Sequence, residues 1–267
     1  MKTAVLELTS RCNLNCTFCY CACHDHPEAF GKGIHLEAWK DLVEQCFRSG
    51  ISSFTLTGGE PTLYDGVEQL VRMLLEHPVV KECECYTNLK EVPCWLRGVV
   101  AGKEKMRVTT SLQGVYGRAS ALGCSFPLEV WKHHCREVVD LGIPLRIAIT
   151  VTKQNMGDLE YMIDMAAKMQ ASKIFVNTMV MEGRGLLHPE LWLSAEEIQD
   201  VYRRARMMRS SLSQVICLPE EYYCSCRTDG VIPEGLEELG CKEKCEVEKE
   251  MIVFGPDGRM RKCMHVW

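Results

Sequence analysis

The sequence predicts an α/β fold: a partial (β/α)6 TIM-like barrel followed by a small cysteine-rich C-terminal extension. Short β-branched runs alternate with amphipathic stretches from residue 3 to about residue 209, a rhythm typical of a parallel sheet with helical crossovers. Six such strands with right-handed crossovers would close only partway around a barrel. The rhythm stops after Arg209, so we expect a core domain over residues 1–210 and a cysteine-rich segment over residues 211–267.

The individual elements follow from local patterns. Strands are expected where β-branched or alternating residues dominate, at 3–8, 53–57, 82–87, 107–112, 145–151 and 173–180. Helices are expected where apolar residues recur three and four positions apart, at 36–49, 65–76, 128–141, 156–169 and 195–208. Ser194 followed by Glu197 predicts a capping box on the last helix.

Polar and glycine-containing motifs stand directly after the first four predicted strands. They occupy residues 11–19, 58–61, 87–88 and 111–114. Functional residues of parallel α/β sheets lie at the carboxyl ends of the strands. We therefore expect these motifs to meet at one end of the barrel.

Length and charge narrow the classes of function. A chain of 267 residues suits one large α/β domain with a small appendage. The net charge is −5 with both signs spread along the chain, so no nucleic-acid partner is expected. No apolar run long enough for a membrane span and no leader-like start is seen, so we expect a cytoplasmic protein with no membrane partner.

Cysteine is unusually abundant, with 17 residues in the chain. In a reducing compartment, clustered cysteines favour metal ligation over a disulfide scaffold. Cys46, Cys124 and Cys135 stand alone among apolar or helical residues, so we expect them simply to pack.

Cys12, Cys16 and Cys19 form a tight triad directly after the first predicted strand. Three thiolates at this spacing can bind three irons of a 4Fe-4S cluster and leave the fourth iron open to an outside ligand. A zinc site completed by Cys21, Cys23 or His24 is the alternative.

A second motif, Gly58, Gly59, Glu60 and Pro61, follows the second predicted strand. Two glycines allow close backbone approach or positive φ, and proline fixes the outgoing turn. Taken alone, the motif is a strand-to-helix turn.

Together the cysteine triad, with Phe18 just before its last cysteine, and the Gly-Gly-Glu-Pro motif resemble the radical S-adenosylmethionine (SAM) superfamily. The resemblance implies that SAM chelates the open iron and is cleaved reductively to a 5′-deoxyadenosyl radical that abstracts hydrogen from a substrate. It implies that Phe18 and residues 58–61 contribute to SAM binding, with Glu60 near the methionine amino group. Ser111 and Gln113 match a Ser-Leu-Asp-Gly motif that many members of this family place near the ribose or the methionine carboxylate of SAM, although Gln113 replaces the aspartate.

The C-terminal segment resembles the opening of SPASM and twitch auxiliary-cluster domains. Cys245 is followed by twelve residues, Gly258, four residues and Cys263, and residues 252–260 predict a β-hairpin with a Pro-Asp-Gly turn. Either the auxiliary domain continues beyond this sequence, or upstream cysteines complete one cluster together with Cys245 and Cys263. Cys241 is the nearest candidate for such a ligand. A second 4Fe-4S cluster is expected there, with zinc as the alternative.

The resemblance implies an enzyme that modifies a peptide or protein and takes electrons from a donor such as flavodoxin or ferredoxin. A small-molecule reaction of cofactor biosynthesis is the alternative within enzymes. A non-catalytic iron-sulfur or zinc-binding protein is the alternative of another class. The sequence identifies no catalytic acid or base.

Overall fold

A computed structural model describes residues 2–21, 33–98, 102–115, 122–124, 127–217 and 251–261. Within these residues the strands are β1 (Thr3–Glu7), β2 (Ser53–Thr57), β3 (Glu82–Tyr86), β4 (Met106–Ser111), β5 (Leu145–Val151), β6 (Lys173–Thr178), β7 (Val215–Cys217), β8 (Met251–Phe254) and β9 (Met260–Arg261). The helices are α1 (Leu36–Arg48), α2 (Val67–Glu76), α3 (Cys94–Arg97), α4 (Leu128–Asp140), α5 (Leu159–Lys168) and α6 (Ala195–Arg209).

The nine strands form a single sheet in the order β7-β6-β5-β4-β3-β2-β1-β8-β9. All neighbours pair in parallel except β8 and β9, which are antiparallel. Over the part of the chain that the structure describes, the sheet is open, with β7 and β9 at its edges. The predicted α/β class and partial barrel are confirmed.

The core lies between the sheet and the helices that cross over it. In α1 the buried side chains are Trp39, Val43, Cys46 and Phe47, whose spacing matches one face of a helix. Phe54 and Leu56, alternate residues of β2, are also buried in this core. Cys46 and Cys135 pack there as expected, and burial raises the pKa of the Cys46 thiol to about 11.

The six predicted strands and five predicted helices are present, with ends that differ by at most three residues and agree at both ends for β2 and β5. The largest difference is at α5, because residues 156–158 form a separate 3-10 turn before the helix starts at Leu159. The capping box is confirmed: the Ser194 side chain accepts from the Glu197 N–H, and the Glu197 carboxylate accepts from the Ser194 N–H.

Three strands were not among the six predicted for the core. β7 pairs with β6, and β8 pairs in parallel with β1, so segments after residue 210 extend the same sheet. The predicted Pro-Asp-Gly hairpin is present as β8 and β9, with Gly258 at φ 75°. The boundary at residue 210 stays a prediction.

A buried ion pair joins the hairpin to the first strand. The Arg261 guanidinium contacts the Glu7 carboxylate, and the Glu7 side chain is 1% exposed. A charge at that depth needs a partner, so Arg261 compensates the burial of Glu7 beside the β1–β8 pairing.

The described part of the chain contains no helix that is long and apolar enough to cross a membrane.

Candidate functional site

The loops that leave the carboxyl ends of the strands converge on one end of the sheet. We call residues 9–20, after β1, the cysteine loop and residues 58–61, after β2, the glycine loop. The two loops are joined by backbone hydrogen bonds that continue the β1–β2 pairing: Gly59 N–H donates to Thr9 C=O at 2.7 Å and Glu60 N–H to Arg11 C=O at 2.8 Å. The two motifs singled out in the sequence are therefore adjacent in space.

The cysteine loop presents three half-buried thiols, those of Cys12, Cys16 and Cys19. Cys12 Sγ accepts a hydrogen bond from Leu14 N–H at 3.5 Å. Burial raises the pKa of Cys12 to about 11, and the negative charges of Glu60, Cys16 and Cys19 act in the same direction. The three thiols are thus close enough for their charges to affect one another, and three sulfur donors suit iron.

Backbone from two distant segments holds the cysteine loop in place. Asn15 N–H donates to Gly123 C=O at 3.2 Å, and Thr17 N–H donates to Leu122 C=O at 3.0 Å. At the other end of the loop, Arg184 N–H donates to Cys19 C=O at 2.9 Å. Both segments, residues 122–123 and Arg184, lie far from the triad in the sequence.

Cys124 corrects an expectation. It is buried as predicted, but it does more than fill space, because its Sγ lies 3.2 Å from Cys16 Sγ across 108 positions of sequence. The hydrogen bond from Cys124 lowers the pKa of Cys16, although burial opposes the shift. No local spacing could have predicted this pair.

The glycine loop requires both of its glycines for contact with the cysteine loop. A Cβ on Gly58, whose φ is +129°, would lie 2.4 Å from Thr9 C=O. A Cβ on Gly59 would lie 2.3 Å from Arg11 C=O. The sequence suggested that these glycines admit a ligand or a positive φ; the structure shows that they also admit the backbone of the neighbouring loop.

Glu60 is the most thoroughly bonded side chain of the glycine loop. It is 2% exposed, its Oε1 accepts from Thr62 N–H and Oγ–H at 3.2 and 2.7 Å, and its Oε2 accepts from Asn88 N–H at 2.8 Å. Burial raises its pKa, and the bonds from Asn88, Thr62 and Thr87 partly offset the rise. Glu60 therefore fastens the loop after β2 to the loop after β3. Pro61 is buried beside it and begins the 3-10 turn Pro61–Leu63.

The loop after β3 reaches back to the cysteine loop. Asn88 Nδ2 donates to Asn13 Oδ1 at 2.7 Å, and Lys90 Nζ lies 3.4 Å from Asn13 C=O. Leu89 between them has φ 52°, an uncommon conformation for a branched residue. The sequence marked residues 87–88 by their position but gave no sign of Asn13 as their partner.

Two residues join the ends of β4 and β5. Gln113 Oε1 accepts from Thr150 N–H at 3.2 Å, while Asn155 Nδ2 donates to Gln113 C=O at 2.9 Å and to Thr150 C=O at 3.0 Å. Asn155 is fully buried and its Oδ1 accepts from Thr152 N–H at 2.7 Å. Ser111, by contrast, is exposed at the end of β4.

Three buried polar atoms near these strand ends have no hydrogen-bond partner among the described residues. One is Thr110 Oγ1 in β4. The other two are Asn177 Oδ1, near the end of β6, and Thr152 Oγ1, just after β5. Buried polar atoms are normally bonded, so these two leave hydrogen-bonding capacity for a polar ligand. Asn177 was not among the residues predicted from the sequence. The signal that could have identified it is its position two residues after Phe175, because alternate residues of β6 lie on the same face of the sheet.

An apolar cluster lies beside the cysteine loop. Its buried members are Leu122, Cys124, Met179 and Leu191, and Cys16, Phe18 and Trp192 pack against it. Phe18 therefore contributes to an apolar wall next to Cys16. Such a wall limits the access of water to the thiols.

Within the described ranges, no three His, Cys, Asp or Glu side chains are placed to hold a single metal ion. The predicted auxiliary ligands Cys241, Cys245 and Cys263 lie outside the described residues.

Comparisons with known proteins give several relatives. AlbA, the antilisterial bacteriocin subtilosin biosynthesis protein of Bacillus subtilis, is 27% identical over 209 residues, which are 70% of this chain and 42% of AlbA. The PqqA peptide cyclase of Granulibacter bethesdensis is 22% identical over 191 residues, 72% of this chain and 50% of the cyclase. The chain thus spans about half the length of these curated relatives.

Matches to GTP 3′,8-cyclase are shorter: the Clostridium perfringens enzyme is 31% identical over 83 residues, 31% of this chain and 26% of the enzyme.

Among solved structures, Streptococcus suis SuiB bound to precursor peptide SuiA superposes with a TM-score of 0.75 at 15% identity. The match covers 98% of this chain and 59% of SuiB, and it supports the fold. The family model described as the Radical SAM superfamily matches residues 6–166, more than half of the chain. The chain belongs to the Radical SAM superfamily.

Proposed function

We propose that this protein is a radical SAM enzyme that modifies a peptide or protein substrate. The observation that carries the proposal is the pairing of the two loops. Three thiols of the cysteine loop stand beside a glycine loop that is bonded to it through Thr9 and Arg11. Cys12, Cys16 and Cys19 would each ligate one iron of a 4Fe-4S cluster.

The groups present in this chain fit the two cofactors. The cluster and SAM, when bound, would supply an electron and a 5′-deoxyadenosyl radical. Gly58, Gly59, Glu60 and Pro61 would bind the methionine end of SAM. Glu60 keeps its oxygens in a fixed direction because Thr62 and Asn88 already bond them.

The remaining contacts to SAM come from the strand ends. Asn177 Oδ1 and Thr152 Oγ1 offer unused hydrogen-bonding atoms there, and Ser111 is exposed at the end of β4. Gln113 would act by holding β4 against the backbone of β5 at Thr150. Phe18 and the apolar cluster would exclude water from the reacting atoms.

The substrate class rests on the relatives. AlbA is named for bacteriocin biosynthesis, the PqqA cyclase acts on a peptide by its name, and SuiB is seen with a precursor peptide. These names favour peptide modification, and the GTP 3′,8-cyclase match spans only 83 residues. A match of 203 residues to the Fe-coproporphyrin III synthase of Methanosarcina barkeri keeps a small-molecule reaction of cofactor biosynthesis as the second candidate.

Further parts of the proposal concern the rest of the protein. A second cluster would use Cys241, Cys245 and Cys263, and the hairpin β8–β9 ends two residues before Cys263. Flavodoxin or ferredoxin would supply the electron. A reducing cytoplasm suits free thiols and an oxidisable cluster.

The test is reductive cleavage of SAM by anaerobically reconstituted protein. We expect about four irons per chain for one cluster or about eight for two, and release of 5′-deoxyadenosine with dithionite and SAM. Cys16→Ala should abolish the product, and Cys135→Ala, a buried cysteine of the core, is the matched control. Iron-loaded protein that releases no 5′-deoxyadenosine would refute the proposal.

The substrate class needs its own experiment. The protein is co-expressed with each short peptide encoded beside its gene, and the peptides are compared by mass spectrometry with and without Cys16→Ala. A mass change that depends on Cys16 supports peptide modification. Conversion of a nucleotide such as GTP by the same preparation would favour the small-molecule alternative.

A further inference from the structure

A fourth cysteine lies against the cysteine loop, and the proposed chemistry does not use it. Cys124 Sγ is 3.2 Å from Cys16 Sγ, with Cys124 as the donor. Among the described residues, the same thiol has one other acceptor within reach, the Leu122 carbonyl at 3.4 Å. A thiolate bound to iron carries negative charge and is the stronger acceptor of the two.

Hydrogen bonds hold together the two backbone segments that carry these sulfurs. Residues 122–124 pair with the loop through the bonds from Asn15 and Thr17, and Thr17 Oγ donates to Leu122 C=O at 3.3 Å. A Cβ on Gly123 would lie 2.1 Å from Asn15 C=O, so only glycine permits this approach. These bonds therefore hold the backbone that carries Cys124 beside the cysteine loop.

The surroundings strengthen a hydrogen bond between these sulfurs. Cys124 is 7% exposed and lies in the apolar cluster with Leu122, Met179 and Leu191. A weakly polar environment raises the electrostatic worth of a hydrogen bond and disfavours a second buried charge. Both effects favour a neutral Cys124 thiol that donates to Cys16.

The geometry argues against Cys124 as a fourth cluster ligand. In a 4Fe-4S cluster each cysteine ligates a different iron. The Cys124 and Cys16 sulfurs are 3.2 Å apart, which is too close for each of them to ligate a different iron. Cys124 would therefore contact a cluster ligand, Cys16, without binding iron itself.

We propose that Cys124 is a positioning residue whose thiol donates a hydrogen bond to the Cys16 sulfur and thereby raises the reduction potential of the iron-sulfur cluster. The inference rests on the proposed function, because it takes Cys12, Cys16 and Cys19 as the ligands. Reduction adds negative charge to the cluster, and a hydrogen bond to a ligating sulfur stabilises that charge. Cys124 also holds the Cys16 side chain in one orientation.

The experiment is a redox titration of the anaerobically reconstituted full chain, followed by electron paramagnetic resonance. The signal of this cluster is identified as the one that changes when SAM is added and that is absent in Cys12→Ala. Cys124→Ala removes the donor, Cys124→Ser keeps one, and Cys135→Ala removes a buried core cysteine as the matched control. Iron and sulfide per chain are measured for every variant.

We expect C124A to shift the midpoint potential to a more negative value with unchanged iron content. C124S should lie near the wild type, and C135A should match it. A wild-type midpoint in iron-loaded C124A overturns the inference, and so does loss of iron in both C124A and C124S, because that result would mark Cys124 as a ligand or a purely structural residue.

The two proposals fail in different ways. If the SAM-responsive signal persists in Cys12→Ala and Cys16→Ala, the ligand assignment is wrong. If the signal is lost in those variants but C124A titrates like the wild type, only the role of Cys124 is wrong.

Discussion

The glycine loop and the cysteine loop lie side by side, yet they are held in opposite ways. The carboxylate of Glu60, at the centre of the glycine loop, is 2% exposed and bonded at both oxygens. The cysteine loop has half-buried thiols and is held by backbone bonds from residues 122–123 and 184. The comparison suggests that the glycine loop is complete without cofactors, whereas the cysteine loop gains its last bonds from a cluster.

The largest effect should follow from filling the contact between the two loops. Gly59→Ala places a Cβ 2.3 Å from the Arg11 carbonyl, and neither backbone can give way cheaply. We expect a loss of about 3 kcal/mol in the free energy of unfolding of the cluster-free protein, measured by urea denaturation. Gly157→Ala is the control, because nothing lies within 4 Å of its Cβ. Equal stability of the two variants would show that the loops are not rigidly paired.

The cysteine loop should respond differently to a similar change. Gly123→Ala adds strain at φ +72° and a Cβ 2.1 Å from Asn15 C=O. We expect a cost of about 2 kcal/mol that falls on the loop rather than on global unfolding, seen as reduced iron content after reconstitution. Gly50→Ala has a similar φ of +76° with nothing within 4 Å, so it should keep its iron. Full iron loading of G123A would show that the contact of residues 122–123 with the cysteine loop is not needed to hold the cluster.

Removing the cluster should affect hydrogen exchange in the cysteine loop much more than in the glycine loop. Hydrogen exchange is compared between cluster-free and reconstituted protein. Amides in residues 11–20 should exchange roughly tenfold more slowly with the cluster, a local stabilisation of about 1.4 kcal/mol. The amides of Gly59 and Glu60 should change little, because they are already bonded to the Thr9 and Arg11 carbonyls next to the buried Glu60 side chain. Equal changes in both loops would remove the contrast.

The smallest effect concerns the charge on Glu60. Burial raises its pKa from the ordinary 4.5, so the folded protein holds the Glu60 proton more tightly than the unfolded chain does. Its contribution to stability is therefore full below pH 4.5 and declines as the pH rises through the raised pKa. Glu60→Gln does not titrate.

Urea denaturation of cluster-free protein at a series of pH values tests this sign. We expect the free energy of unfolding of the wild type, relative to E60Q, to fall as the pH rises from 4.5 toward neutrality. A difference that grows over the same range would mean that the hydrogen bonds of Glu60 outweigh its burial.

The local features of this protein were predictable from its sequence. The spacing of apolar residues predicted the six core strands and the five longer helices, because this spacing is set within each element and does not depend on distant parts of the chain. The cysteine triad and the glycine motif were found by their spacing, and the hairpin of β8 and β9 by its turn residues.

What the sequence by itself determined, then, is the six core strands, the five longer helices, the β8–β9 hairpin and the position of each motif, whereas β7 and the short helix α3 were not predicted. Only the tertiary structure decided that β8 lies beside β1, that Glu60 bonds Asn88, that Asn155 joins β4 to β5 and that Cys124 meets Cys16. These partners are separated by long stretches of chain, and 108 positions separate the two cysteines. The physical reason is that a parallel sheet brings the carboxyl ends of all its strands to one edge, and contacts made there leave no periodic trace in the sequence.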